Sequence, residues 1–350
     1  MVATNSILAK IVTGLPPCCL RIHPNDTSRI YIGTYKLEEK SGIKHGSLDV
    51  YRYDAQDSSL ALLTSVPTKS AILDIKFNPQ DSSQLLSAHS NGQLIIWKVG
   101  QDNDEITIVN EVTIDDDESN CITSVFYNPN NSNQVLVTLT SGYSGIHDLI
   151  SHTTTVLEAQ HSLECWTGSF GELGQLQHVV YTGGDDSQLI AHDLRASQPI
   201  WTLSRGHNAG IVSILSPSKQ WSSTSGNLLW TGSYDDHLRV WDLRCIDETN
   251  PRLIEGYIPK KLHEENLNGG VWRLIPSHVA NDNRVLSCCM YDGARIINTR
   301  GADFSVDRYF KGDHESMCYG GDWSFDGNYV ATCSFYDKVV HLWSPDTINE

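Results

Sequence analysis

Residues 229–244, LWTGSYDDHLRVWDLR, and residues 180–195, VYTGGDDSQLIAHDLR, are two versions of one phrase within a single chain. Self-similarity constrains a fold more tightly than any single motif, because every copy must adopt the same local structure. The recurring unit reads as a short apolar strand, a small turn and a strand ending in small residues. A turn carrying Asp or Asn with Gly follows, then an alternating strand that ends in Trp or a substitute. Seven copies can be placed, with closing strands that end near Tyr51, Trp97, His147, His192, Trp241, Ile297 and Trp343. Their spacing of roughly 45–55 residues lies near or somewhat above the ~40–45 of a four-stranded repeat unit.

A unit of four short strands cannot bury both faces of its own sheet, so the copies must pack face to face around an axis. The chain is therefore expected to be all-β, a single seven-bladed WD-repeat propeller occupying residues 1–350. Alternation in Leu238–Trp241 and Leu94–Trp97 supports the strands, since β-branched and aromatic residues suit a half-buried pleated surface. The turn aspartates Asp186, Asp236, Asp292 and Asp337 are read as anchors for backbone N–H groups. Residues from about Ser6 to Val12 are placed as the outer strand of the last blade, which would close the ring and remove exposed edges. Loops are expected at 36–46, at 101–120 with its acidic run Asp115–Glu118, and at 247–268.

Composition narrows the function classes. With 39% apolar residues among 350, the chain can build a large core. Its formal net charge of −17, with no basic run, opposes a grip on phosphate backbones, so nucleic acid is excluded as the expected partner. No stretch approaches the ~18 apolar residues of a membrane span, and the N-terminus lacks a long apolar segment. A cytosolic monomer is expected. The nine cysteines show no C-x-x-C spacing and are read as buried thiols. His147 and His192 lack short-range partners of ligand type, so neither a metal nor a cofactor is expected. G-x-S-x-G, H-E-x-x-H and P-loop signatures are absent.

Several segments are more particular than the repeat: LECWTGSF (163–170), RGHNAGIVSI (205–214), NGGVWRL (268–274) and CYGGDWSFDGNYVATCSFYDKVVHLW (318–343). Together with the two quoted copies they resemble the diphthine methylesterase family, WD-repeat proteins of the diphthamide pathway. The likeness covers residues 160–345 by motif and the first three blades by general pattern. It implies hydrolysis of the methyl ester of methylated diphthine, a modified histidine on elongation factor 2, leaving a carboxylate for later amidation. The substrate would carry a quaternary ammonium beside the ester. The alternative is a non-catalytic WD-repeat adaptor that holds a protein partner on the same face.

Those two substrate features make demands on the residues. Quaternary ammonium groups bind aromatic faces, and Trp166, Tyr234, Trp272, Trp323 and Tyr336 are placed on or above inner strands near the channel mouth. The competing role for each Trp is blade-to-blade packing. Hydrolysis would need a base and an oxyanion donor. Asp322, His207 and Glu164, with His314 as rival base, are the catalytic candidates; a His in the GH position also serves structurally. Asp322 stands out because a carboxylate on an inner strand is costly unless paired. Ser233, Ser334, Cys289 and Cys333 are possible nucleophiles, with activated water preferred. Arg273 could polarise the carbonyl or hold the product carboxylate, or it could form a surface ion pair.

Overall fold

The computed structural model describes residues 7–100, 105–195, 199–221, 226–244 and 258–346; residues 101–104 and 247–257 of the expected loops, and Ser6, lie outside them. The inner strands run Pro17–His23, Ile72–Asn78, Ile122–Asn128, Cys165–Phe170, Ile211–Leu215, Val271–Pro276 and Cys318–Trp323. Each opens an antiparallel sheet, and among the described residues the sheets number seven. We number these blades one to seven in chain order. Each inner strand lies beside the next, and Cys318–Trp323 lies beside Pro17–His23, so the ring is closed. Ile7–Val12 pairs antiparallel with the third strand of blade seven, Val339–Trp343, as its outer strand. The two chain ends are thereby stitched into one sheet.

Each hydrophobic cluster straddles two neighbouring blades. Tyr181, Leu189 and Ala191 of blade four meet Ile211, Leu229 and Trp241 of blade five. Leu20, Ile30 and Ile32 of blade one meet Ala331, Val340 and Leu342 of blade seven. The core is thus a circle of inter-blade layers, which is why no repeat is stable alone.

Within blades, a recurring polar network ties the second strand to the third. In blade five, Trp241 Nε1 donates to Thr231 Oγ1 at 2.8 Å, and His207 Nε2 meets the same oxygen at 2.8 Å. Blade seven repeats it with Trp343, Thr332 and His314, and blade two with Trp97, Ser87 and His89. In blade four His192 occupies the Trp position and shares Thr182 Oγ1 with His161, each at 3.0 Å. An imidazole here fills the structural place of the indole. Asp186 and Asp337 anchor backbone amides as expected, whereas Asp292 accepts from the side chains of Arg295, Tyr309 and Lys311, and blade five departs as well. There Asp235, not Asp236, accepts from the amides of Asn208 and His237 and pairs with Arg239. Asp236 instead takes the left-handed conformation of the turn, φ 68°.

Candidate functional site

Every inner strand slips register by one residue near its start, in the first two or three positions. The extra residues are Cys18, Leu73, Thr123, Trp166, Val212, Trp272 and Tyr319. A bulge leaves its residue out of the ladder and re-aims the side chain, so the rim carries one such slot per blade. A second slot follows each second strand, where a backbone N–H reaches the segment entering the inner strand. These bonds run from Tyr35, Ser90, Thr140, Asp185, Tyr234, Met290 and Phe335 to Pro16, Ala71, Cys121, Glu164, Gly210, Gly270 and Met317.

The aromatic residues in these slots touch. Trp166 lies 5.9 Å from Trp272 and 6.3 Å from Tyr234, centroid to centroid, and Tyr234 lies 5.8 Å from Trp272. Trp272 continues to Tyr319 at 4.9 Å, and Tyr319 to Phe335 at 5.7 Å. Tyr35 and Tyr336 flank Phe335 at 5.9 and 5.0 Å. An arc of rings therefore spans blades four to seven and ends on blade one, with Trp166, Tyr234, Trp272 and Tyr319 each partly buried.

The seating of Tyr234 explains two glycines. A Cβ on Gly210 would stand 3.1 Å from Tyr234 Cδ2 and 2.6 Å from Asp185 Oδ1, and one on Gly270 would stand 3.4 Å from Tyr234 Cδ1 and 2.8 Å from Met290 Sδ. The bare backbone on both sides lets the ring lie down between blades. Asp185 Oδ1 accepts from Trp166 Nε1 at 3.1 Å, while Trp272 Nε1 is buried with no hydrogen-bond partner among the described residues. Burial raises the phenol pKa of both Tyr234 and Tyr319, so these rings stay neutral. Glu164 is partly buried at the same rim, its carbonyl bound by the Asp185 amide. Neutral π faces beside carboxylates make a surface suited to a soft cation.

Of the remaining sequence candidates, Trp323, His207, His314 and Asp322 are not brought to this arc. Trp323 is fully buried at the far end of its inner strand, its Nε1 donated to the Ile275 carbonyl at 2.9 Å. It packs blade six against blade seven. His207 and His314 are held in the two polar networks described above, and burial lowers both pKa values to about 3. Rings so reluctant to take a proton are poor general bases near neutrality.

Asp322 also lies away from the arc, deeper in the channel, where Oδ2 accepts the Ile22 amide at 2.9 Å and Oδ1 meets His278 Nε2 at 3.2 Å. Burial would raise its pKa, but the His278 contact, the charge of Arg21 and the Ile22 amide outweigh it and the net shift is downward. The four catalytic candidates thus form no single constellation. Arg273 is buried, not a surface residue: its guanidinium lies 5.5 Å from the Trp272 ring and Nη2 is 4.0 Å from Asp74. Cys289 and Cys333 are fully buried, and burial raises both thiol pKa values, that of Cys289 to about 12. Sequence reading missed Tyr319, Phe335 and Tyr35. The signal available was position, one aromatic per bulge or per post-strand slot.

A closed ring of WD-type blades with an aromatic arc on its rim defines the class: a seven-bladed WD-repeat propeller. The model for "WD domain, G-beta repeat" matches residues 197–242 and 308–344. The crystal structure of a mitotic checkpoint complex contains a chain that superposes with a TM-score of 0.70 over 98% of this chain and 92% of its own, at 16% identity, a likeness of fold. The diphthine methyltransferase of Saccharomyces cerevisiae is 35% identical, covering 97% of this chain and 98% of the relative. That of Schizosaccharomyces pombe is 33% identical over 90% of each. The chain belongs to the diphthine methyltransferase family. The name corrects the expected ester hydrolysis: it points to methyl transfer, and the carboxylic ester hydrolase reading falls with it.

Proposed function

We propose that this chain acts in methyl transfer on diphthine, in which a carboxylate oxygen takes a methyl from a separate methyl donor that leaves demethylated, and that it grips the diphthine-bearing protein, elongation factor 2, by the aromatic arc of its rim. The observation that carries the reading is the contact chain Trp166–Trp272–Tyr319 with Tyr234 between the first two. Diphthine presents a quaternary ammonium, whose methyl groups spread positive charge over a soft surface. Aromatic faces attract such a group by about 0.5–2 kcal/mol per contact, more when water is excluded. Asp185 and Glu164 add negative potential at one end of the arc without competing for the ring faces. The residues of this chain bind and orient the cationic side chain; the glycines at 210 and 270 keep the binding rings in register. The relatives named diphthine methyltransferase support the choice of substrate and the direction of the chemistry.

The test is mass spectrometry of the modified peptide from purified elongation factor 2, before and after incubation with the protein and a source of isotopically labelled methyl groups. A labelled methyl gained with the wild type, and lost or much slowed in Trp272→Ala, is the expected outcome. A change of mass in the opposite direction, or none despite tight binding, overturns methyl transfer. Binding that ignores the modification overturns the recognition as well.

A further inference from the structure

Beneath the aromatic rim the axial channel holds a layer of charge that the rim does not use. Arg21 comes from blade one, Lys76 and Asp74 from blade two, Arg273 from blade six and Asp322 from blade seven. Asp74 is fully buried, and both its oxygens accept from Lys76 Nζ at 2.6 Å. Oδ2 also accepts the Val125 amide at 3.2 Å. Arg21 and Arg273 each bring Nη2 toward Asp74 Oδ1, to 3.9 and 4.0 Å, beyond direct hydrogen bonding. Asp322 is already engaged by the Ile22 amide and His278.

Arg21 and Arg273, joined by Lys76 when it is protonated, thus face two carboxylates in a chain whose net charge is −17. The excess that the protonated lysine adds is costly inside a protein unless something neutralises it. The layer roofs a cavity of about 530 Å³, which Arg21, Lys76, Arg273 and Asp322 all line. It opens on the face opposite the rim, between the first turns of the blades, where Asn25 and Gln80 stand at the edge. Its volume is that of a site for a small molecule, about 300–1,000 Å³. Its cations offer charge-assisted hydrogen bonds to planar or tetrahedral oxyanions.

We propose that this chamber is a binding site for a small anion carrying a carboxylate or phosphate group, separate from the aromatic rim. Its occupancy would depend on pH. Burial, reinforced by Arg21, lowers the Lys76 pKa to about 7 despite the opposing pull of Asp74. Asp74 faces Lys76 from its own strand, Arg21 from the adjoining blade one and Arg273 from blade six across the channel, and Asp322 with its partner His278 lines the same cavity.

Isothermal titration of the full chain with inorganic phosphate and with succinate, at constant chloride and at about pH 6 and about pH 8.5, tests the proposal. One site is expected, with affinity falling roughly tenfold between the two conditions as Lys76 loses its charge. Lys76→Met should weaken binding about tenfold at the lower pH by removing that charge. Gln80→Glu places a negative charge at the exposed edge without touching the core, so it keeps the test valid where Lys76→Met fails to fold; it should weaken binding about threefold. A preference for phosphate or for succinate identifies which oxyanion the chamber takes. No binding of either probe up to about 10 mM, or binding that both variants leave unchanged, overturns the proposal.

Discussion

The rim of blades four to seven and the rim of blades one to three are built on the same backbone. Both halves repeat the inner-strand bulge and the amide bond that follows the second strand. What fills the slots differs. One half presents Trp166, Tyr234, Trp272, Tyr319 and Phe335; the other presents Cys18, Leu73, Thr123, Ser90 and Thr140, with Tyr35 alone reaching across to the arc. Since the main chain is common, the distinction lies in side chains alone. The repeat supplies equivalent positions, and departures from the repeat supply the chemistry.

The two halves should also differ in how they fail in acid, and this is the largest effect expected. His192, His207 and His314, in blades four, five and seven, have pKa values lowered to about 3, chiefly by burial. In blades one to three, among the described residues, His89 alone comes near this, at about 4. A histidine whose folded pKa lies below its unfolded value of about 6.5 leaves the unfolded chain to take up the proton first. Stability is therefore complete above about pH 6.5 and lost as pH falls toward the folded value, by about 1.4 kcal/mol per unit for each ring. At about pH 5 that is ~2 kcal/mol per network. Hydrogen exchange followed from about pH 7.5 to 5 should show the second and third strands of blades four, five and seven, and of blade two through His89, opening before those of blades one and three. Simultaneous loss in all blades would break the comparison.

Trp272 is the next test. It touches Trp166, Tyr234 and Tyr319, so Trp272→Ala removes one binding face and the support of its neighbours. A loss of about 2 kcal/mol, roughly thirtyfold in affinity for the diphthine-bearing factor, is expected by fluorescence anisotropy. Leu73→Ala, at the equivalent slot of blade two, should change that affinity less than about twofold. Equal losses from both would mean that the whole rim, not the arc, makes the contact.

Gly210→Ala probes the seating of the arc more gently. Its Cβ would meet Asp185 Oδ1 at 2.6 Å and Asp185 Cα at 2.9 Å, and because the latter is backbone the turn itself must shift. A cost of about 1–2 kcal/mol in unfolding free energy is expected, with affinity reduced about fivefold as Tyr234 and Trp166 are displaced. Gly42→Ala is its counterpart on blade one, where no atom lies within 4 Å but φ is 70°, so its effect should appear in stability alone.

These contrasts show what the sequence made legible. Blade number, the closing strand and the membership of Trp166, Tyr234 and Trp272 in one rim follow from period and motif, because a repeat fixes equivalent positions. Tyr319 fills the same bulge slot as Trp166 and Trp272, but the sequence reading takes Trp323, four residues further on, as the aromatic of that strand. Asp322 and His207 look alike as polar residues in unusual contexts. Their partners, His278 and Thr231, lie 44 and 24 residues away and become visible only in three dimensions. The channel cations escaped notice for the same reason: one residue per blade makes no cluster in the chain. The motif run pointed to diphthine, while the direction of the methyl chemistry came from the relatives.

Tyr336 marks where the arc stops, and its removal is the smallest effect expected. Its side chain is 70% exposed and meets Phe335 edge to face at 5.0 Å, while its backbone amide is held by Ser316 Oγ at 3.0 Å. The amide bond survives truncation, so Tyr336→Ala should leave the turn and the melting temperature unchanged. A ring open to water contributes weakly to holding a cation, about 0.5 kcal/mol, or roughly twofold in affinity. A loss as large as that of Trp272→Ala would mean that the bound protein buries Tyr336 and draws it into the arc. The functional rim would then extend across blade seven to Tyr35, and the boundary between the two halves would fall on blade one.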